Sequence, residues 1–156
     1  VKWSRDVVKK ESPVHMSEIQ SRIMAGGGVT RAGKSVADAL DAAVERIAGS
    51  KSYSRRGDFF WLTDMDTPPV RDRSGLPASA RRFDMVCDEE LAEAVGVVVG
   101  QSYGMARSQT PSSAARLLGY SRTTEAMKTR IDAVVGQLLT SGRLVDESGH
   151  LVLGAS

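Results

Sequence analysis

Gly28-Val29-Thr30-Arg31-Ala32-Gly33-Lys34-Ser35 satisfies the phosphate-cradling pattern G-x-x-x-x-G-K-S letter by letter. In that chemistry the loop N–H groups wrap a nucleotide's phosphates, the lysine meets their charge, and the serine hydroxyl reaches Mg²⁺. Phe59 to Asp64 could pass for a second nucleotide-site strand. The loop works only between the end of a buried strand and the start of a helix, because both ends shape the cradle. What precedes Gly28 is Ser17-Glu18-Ile19-Gln20-Ser21-Arg22-Ile23-Met24, whose spacing is helical. The motif at 28–35 is therefore read as a false positive, and no ATP affinity is expected.

No other constellation suits catalysis. The chain has no nucleophile beside a base, no paired carboxylates in an apolar setting, and no cluster of metal ligands. His15 and His150 stand far apart and read as surface or hairpin residues. Cys87 is the sole cysteine, so there is neither an intramolecular disulfide nor a cysteine-based metal site. The expectation is a non-enzymatic chain without cofactor or metal, in a cytoplasmic setting.

The remaining chemistry is cationic. Arg31, Lys34, Lys51, Arg55 and Arg56 in the first half, and Arg122, Lys128, Arg130 and Arg143 in the second, are the candidates for nucleic-acid phosphate. Arg55-Arg56 falls at a hairpin tip, where an exposed loop can reach backbone oxygens. Arg31 and Arg122 occupy matching turns before long helices, where each could equally pair with its own domain's carboxylates or carbonyls.

These side chains need a scaffold, and Gly119 to Leu153 supplies it. Met127, Ile131, Val134, Val135 and Leu138 recur at three- and four-residue intervals and so form one helical stripe. Ser121, Thr123 or Thr124 can cap the helix start, and Ser141-Gly142 closes it. Arg143-Leu144-Val145 and His150-Leu151-Val152-Leu153, joined by Asp146 to Gly149, have hairpin spacing. A helix running into a hairpin is the closing half of a winged helix-turn-helix.

A shift of 91 residues carries this pattern onto the first half. Gly119 falls on Gly28, Arg122 on Arg31, Asp132 on Asp41, Val135 on Val44 and Leu153 on Leu62, with no gap from Ser17/Ser108 onward. The reading is two copies of one unit. A short helix capped by Ser17 carries Ile19, Ile23 and Met24, and a longer one over Lys34–Ala48 points Val36, Leu40, Val44 and Ile47 inward. Ser52–Arg55 and Phe59–Leu62 then form a hairpin around Arg56-Gly57-Asp58. In the second copy, helices over Asp88–Tyr103 and Pro111–Leu118 (capped by Thr110) precede the stripe around Ile131. Val1–Glu11 reads as the end of a truncated first helix. The Phe59-Phe60-Trp61 run alternates faces, so it packs internally or against a neighbour.

The fold class is thus mainly α with small β-hairpins (α+β), as two winged helix-turn-helix units in tandem: 1–62, a linker at 63–83 and 84–156. Pro68-Pro69 and Pro77 keep the linker from extending either neighbour. Residues 1–62 hold 11 Lys/Arg against 7 Asp/Glu, whereas 85–156 hold 6 against 8. An acidic partner would therefore meet the first half. The outward stripes oppose base reading: Lys34, Asp38, Asp41, Glu45 on one helix and Glu125, Thr129, Asp132, Gly136 on the other. Backbone-directed contact with DNA, or protein docking, is expected instead. The charged start VKWSRDVVKKE lacks Met and signal-peptide character, and no apolar run suits a bilayer. The chain reads as a piece of a longer one.

Several stretches together resemble a known family. They are Ser12 to Ile19 (SPVHMSEI), the turn Gly28 to Gly33, Phe60-Trp61-Leu62, Pro69-Val70-Arg71-Asp72-Arg73 and Arg81 to Glu90. Leu118-Gly119-Tyr120-Ser121-Arg122-Thr123 and Gly142-Arg143-Leu144-Val145 complete the set. On these the chain resembles a bacterial domain family of unknown function at the C-terminus of large superfamily 1 helicase-like proteins, often beside a restriction-endonuclease-like nuclease domain. In that family the turn commonly reads Gly-Phe-x-Arg-Thr-Gly, and Gly26-Gly27 and Ala32 depart from it here. The resemblance implies an accessory module of a DNA-processing enzyme, with DNA and the parent's other domains as partners. No catalytic residues carry over. The alternative is a protein-docking scaffold built from winged helices.

Overall fold

The computed structural model describes residues 11–26, 38, 42, 45, 46, 49 and 51–155. The turn at 28–35 and the inward residues of the Lys34–Ala48 helix lie outside them, as does Val1 to Lys10. The described positions Asp38, Ala42, Glu45 and Arg46 are helical and exposed. The fold is mixed α+β: four α-helices with described bounds, and two small three-stranded sheets in which every strand pair is antiparallel. Among the described residues no helix is long and apolar enough to cross a membrane. The chain divides into two compact units, Val1–Asp66 and Thr67–Ser156.

In the first unit, β1 (Val14–His15) leads into α1 (Met16–Gly26), and β2 (Tyr53–Arg56) and β3 (Phe59–Leu62) form the hairpin. The sheet order is β1-β3-β2, with Val14 opposite Phe60 and Tyr53 opposite Leu62. Buried Ser12 prolongs this pairing: its hydroxyl accepts the Leu62 N–H at 2.8 Å. Val14, Ile19 and Phe60 make the described core of one face, and Trp61, on the other, is equally buried. Ser17 lies inside α1 rather than capping it. The cap comes from His15, whose Nδ1 accepts the Ser17 N–H at 3.1 Å and sits 2.7 Å from the Ser17 hydroxyl. An imidazole acceptor serves here because the helix starts one residue beyond the strand that aims it.

The second unit runs α2 (Asp88–Gln101), β4 (Met105–Ala106), α3 (Thr110–Leu117), α4 (Glu125–Thr140), β5 (Leu144–Glu147), β6 (His150–Leu153). Leu91, Val95 and Val99 of α2 meet Ala114 and Ala115 of α3 and the whole expected stripe of α4. Leu144 and Leu151 close that core from the sheet, and each such aliphatic side chain contributes roughly 1.5–3 kcal/mol by leaving water. Thr124 is the cap of α4, its hydroxyl accepting the Met127 N–H at 3.2 Å. Thr110 is not a cap: its hydroxyl donates to Ala106 O at 3.2 Å from within α3. α2 stops at Gln101, before Tyr103, because Tyr103 and Gly104 both take positive φ. The hairpin turn is also tighter than the spacing suggested. Only Ser148 and Gly149 stand between the strands, both at positive φ as a two-residue hairpin turn requires.

The 91-residue shift carries β1 onto β4, β2 onto β5 and β3 onto β6. It also preserves register: Val14 opposite Phe60 becomes Met105 opposite Leu151, and Tyr53 opposite Leu62 becomes Leu144 opposite Leu153. Two flanking bonds repeat as well. Met16 N–H to Asp58 O matches Arg107 N–H to Gly149 O, and Thr63 N–H to Ser52 O matches Gly154 N–H to Arg143 O. The correspondence starts at Val14/Met105, three residues before the sequence signal, because a two-residue strand carries no periodicity.

The expected linker at 63–83 needs correction: from Thr67 onward it belongs to the second unit. Pro68 is buried, Val70 and Phe83 pack on the core, and two 3₁₀ turns span Ala78–Ala80 and Phe83–Met85. The anchor is Arg73, 6% exposed, whose guanidinium grips the Glu90 carboxylate with two bonds of 2.8 and 2.7 Å. Glu90 also accepts the Arg71 N–H at 2.9 Å, and the Arg73 N–H donates to Leu118 O at 3.0 Å. A segment so bonded is a strap across α2 and the α3–α4 turn. Its prolines stop helix and strand without preventing packing.

Candidate nucleic-acid interface

Arg55 and Arg56 are the last residues of β2, and both are exposed beside the Gly57-Asp58 turn. Arg55 is held locally: its Nε donates to Gly57 O at 2.9 Å, and its Nη1 lies 3.8 Å from the Glu45 carboxylate. Arg56 points to the other face, where its guanidinium carbon sits 4.3 Å from the Trp61 ring centroid. That contact holds an exposed cation against the sheet, a placement that suits phosphate oxygens. Lys51 is exposed at the base of the same hairpin. Arg31 and Lys34 lie outside the described residues. The segment ahead of Gly28 is α1, and neither sheet is parallel. The strand-to-helix cradle of a phosphate-binding loop is therefore not built by the described residues.

In the second unit the four candidates part ways. Arg122 is exposed in the turn before α4. Lys128 holds Glu125 at 2.7 Å, one helical turn back. Arg143 reaches Glu93 at 2.9 Å. Arg130 is the most committed. It bonds Asp88 at 2.8 Å, Phe83 O at 3.0 Å and Val86 O at 2.6 Å, and its guanidinium carbon lies 5.3 Å from the Phe83 ring centroid. It clamps the strap's end to α4, so three of its donors are already used. Partners 42 to 50 residues away account for Arg130 and Arg143, and helical spacing contains no sign of them.

Sequence reading missed Arg81, which sits in the strap. It lines a shallow groove of about 250 Å³ with Ala78, Gly119, Tyr120, Ser121 and Arg122. The signal was present only as an arginine pair, Arg81-Arg82, in a stretch taken for a spacer. The two differ in state: Arg82 pairs with Asp84, whereas Arg81 has no ion pair among the described residues.

No group of three metal-ligating side chains occurs among the described residues. His15 is engaged with Ser17 and lies edge-on to Phe59 at 5.0 Å, and His150 is exposed on β6. Cys87 is buried, and burial pushes its thiol up from 9.0 to about 12; the Glu90 N–H opposes the rise, while the Glu89 and Glu90 charges add to it. Native protein should leave a thiol reagent such as DTNB unreacted at about pH 8 and release one equivalent only on unfolding. The sign of the pH effect follows. Between 9.0 and about 12 the folded chain keeps a proton that the unfolded chain has lost, so stability falls as pH rises through that window. Cys87→Ala should flatten that fall, and an unchanged alkaline slope would place its cause elsewhere.

A family model described as "Protein of unknown function (DUF3320)" matches residues 2–38. That match covers less than half of the chain and lies wholly in the first unit. No curated protein and no solved structure matches.

Proposed function

We propose that the chain is a tandem pair of winged-helix units that serves as a non-catalytic accessory module of a larger helicase- or nuclease-type protein and contacts nucleic-acid backbone. The observation that carries this reading is the repeated architecture. The second unit runs helix, strand, helix, helix, hairpin, with the first strand paired to the last, and the first unit's sheet has the same register. In a winged helix the hairpin and the turn between the second and third helices both face the duplex. Those two places carry exposed cations: Arg55 and Arg56 on the first hairpin, Arg122 at the second unit's turn. The exposed faces of the helices support backbone contact over base reading, since Asp38, Glu45 and Asp132 lie there. The helicase setting rests on the family resemblance.

Titration against duplex and single-stranded DNA at about 50 and 200 mM salt tests it. With two or three phosphate contacts, affinity should fall about ten- to fortyfold between the two salts. Absence of binding at the lower salt overturns the reading. Protein docking is the second reading, favoured by apolar exposure on the second unit: Tyr103 98%, Leu153 53% and Val145 44%.

A further inference from the structure

Every exposed basic residue of the second unit falls into one of two states. Arg82, Arg107 and Arg143 each hold a carboxylate, from Asp84, Asp146 and Glu93 respectively. Arg81, Arg116 and Arg122 have no carboxylate partner among the described residues. These three are not scattered. Arg116 is in the last turn of α3, Arg122 lies in the turn before α4, and Arg81 faces that turn from the strap. Arg81 and Arg122 share one groove, and the exposed Asp72 carboxylate at the same junction is turned to the Ser74 N–H, which it accepts at 2.8 Å.

That place is also shaped. Gly119, at φ +90°, lets the strap backbone approach so closely that a Cβ there would stand 2.4 Å from Ser74 N and 2.6 Å from Arg73 N. Strap and turn meet at this point, and just beyond it Arg81 and Arg122 line the same groove with Ser121. Tyr120 lines it too, its ring perpendicular to that of Phe83 with centroids 5.4 Å apart. With two arginines and a hydroxyl in its lining, the groove suits a charged oxygen group. Two guanidinium forks beside a hydroxyl match a phosphodiester: each fork can give paired N–H bonds to the non-bridging oxygens.

We infer that Arg81, Ser121 and Arg122 form a seat for one backbone phosphate of a nucleic acid, with the strap supplying half of it. The inference rests on the nucleic-acid reading above and adds a residue, Arg81, outside the repeated elements. Arg116, one turn away, adds long-range attraction.

The test uses the whole 156-residue chain and a fluorescent duplex of random sequence. R81A/R122A should weaken binding about tenfold and lower the salt slope by about 0.9, the share of one phosphate, while R82A, an adjacent change of the same charge, leaves both nearly unchanged. Thermal unfolding of R81A/R122A should match the parent, since both side chains are exposed and hold no carboxylate among the described residues. If R55A/R56A weakens binding but R81A/R122A does not, the seat is refuted while the nucleic-acid reading stands. If R82A costs as much as R81A, only net charge acts, and the seat is likewise refuted. If the parent chain binds neither duplex nor single strand, both readings fall together.

Discussion

Glu90→Ala should destabilise the second unit by about 3–5 kcal/mol, because it leaves the Arg73 guanidinium buried without a counter-charge. Arg73 is 6% exposed and Glu90 1%, so water cannot take over for either. Burial works against the charged guanidinium, but the two Glu90 bonds and the Glu90 charge outweigh it and hold the group above its ordinary value. The Arg71 N–H would lose its 2.9 Å acceptor in the same step. Replacing both partners, as Arg73→Met with Glu90→Leu, should cost far less than either single change, since no unpaired charge remains. Both tryptophans, Trp3 and Trp61, belong to the first unit, so tryptophan emission does not report on this one. Amide exchange of α2 and α4 under native conditions is the suitable measurement. An E90A chain within about 1 kcal/mol of the parent would mean that the pair is solvated in solution.

Gly119→Ala should cost on the order of 3 kcal/mol, from two causes acting on one atom. At φ +90° an L side chain is strained. Its Cβ would also stand 2.4 Å from Ser74 N, 2.5 Å from Asp72 Oδ1 and 2.6 Å from Arg73 N. Two of those atoms are backbone of the strap and cannot rotate away. The strap must lift from the α3–α4 turn, which loosens the Arg73 N–H bond to Leu118 O and strains the Glu90 pair. The G119A and E90A losses should therefore overlap rather than add. Gly136 is the internal control. It lies within α4 with nothing inside 4 Å of an added Cβ, so Gly136→Ala should stabilise by about 0.5–1 kcal/mol. Denaturant midpoints of the two variants moving in the same direction would refute this account.

Both effects concern a segment whose sequence advertised nothing but interruption. Thr67 to Val86 holds prolines, four arginines against two aspartates and no periodicity, the usual marks of a spacer. Its role follows from Arg73 meeting Glu90, seventeen residues on, and from a missing side chain at Gly119. Glu90 is one of three acids in the first turn of α2, with Asp88 and Glu89, all equally suited to a helix start. Only burial separates it from its neighbours, which stay exposed.

The candidate interface divides along the same line. Arg55-Arg56 was legible because a tight turn between two apolar runs places its residues at a tip, whatever else the chain does. Arg130 and Arg143 looked equivalent to Arg122 on helical spacing. The fold assigns the first two to Asp88 and Glu93 and leaves the third open.

From residue order alone came the stripe of α4, a cap among Ser121, Thr123 and Thr124, the hairpin positions and the 91-residue duplication. Periodicity, capping and turn geometry each act over a few residues and leave a local trace. Which cations are spent on carboxylates, which carboxylate is buried, and that the supposed spacer straps the second core were settled only by the folded chain. Those outcomes depend on groups 17 to 50 residues apart meeting at bonding distance, and a charge in sequence has no record of the partner it will meet in space.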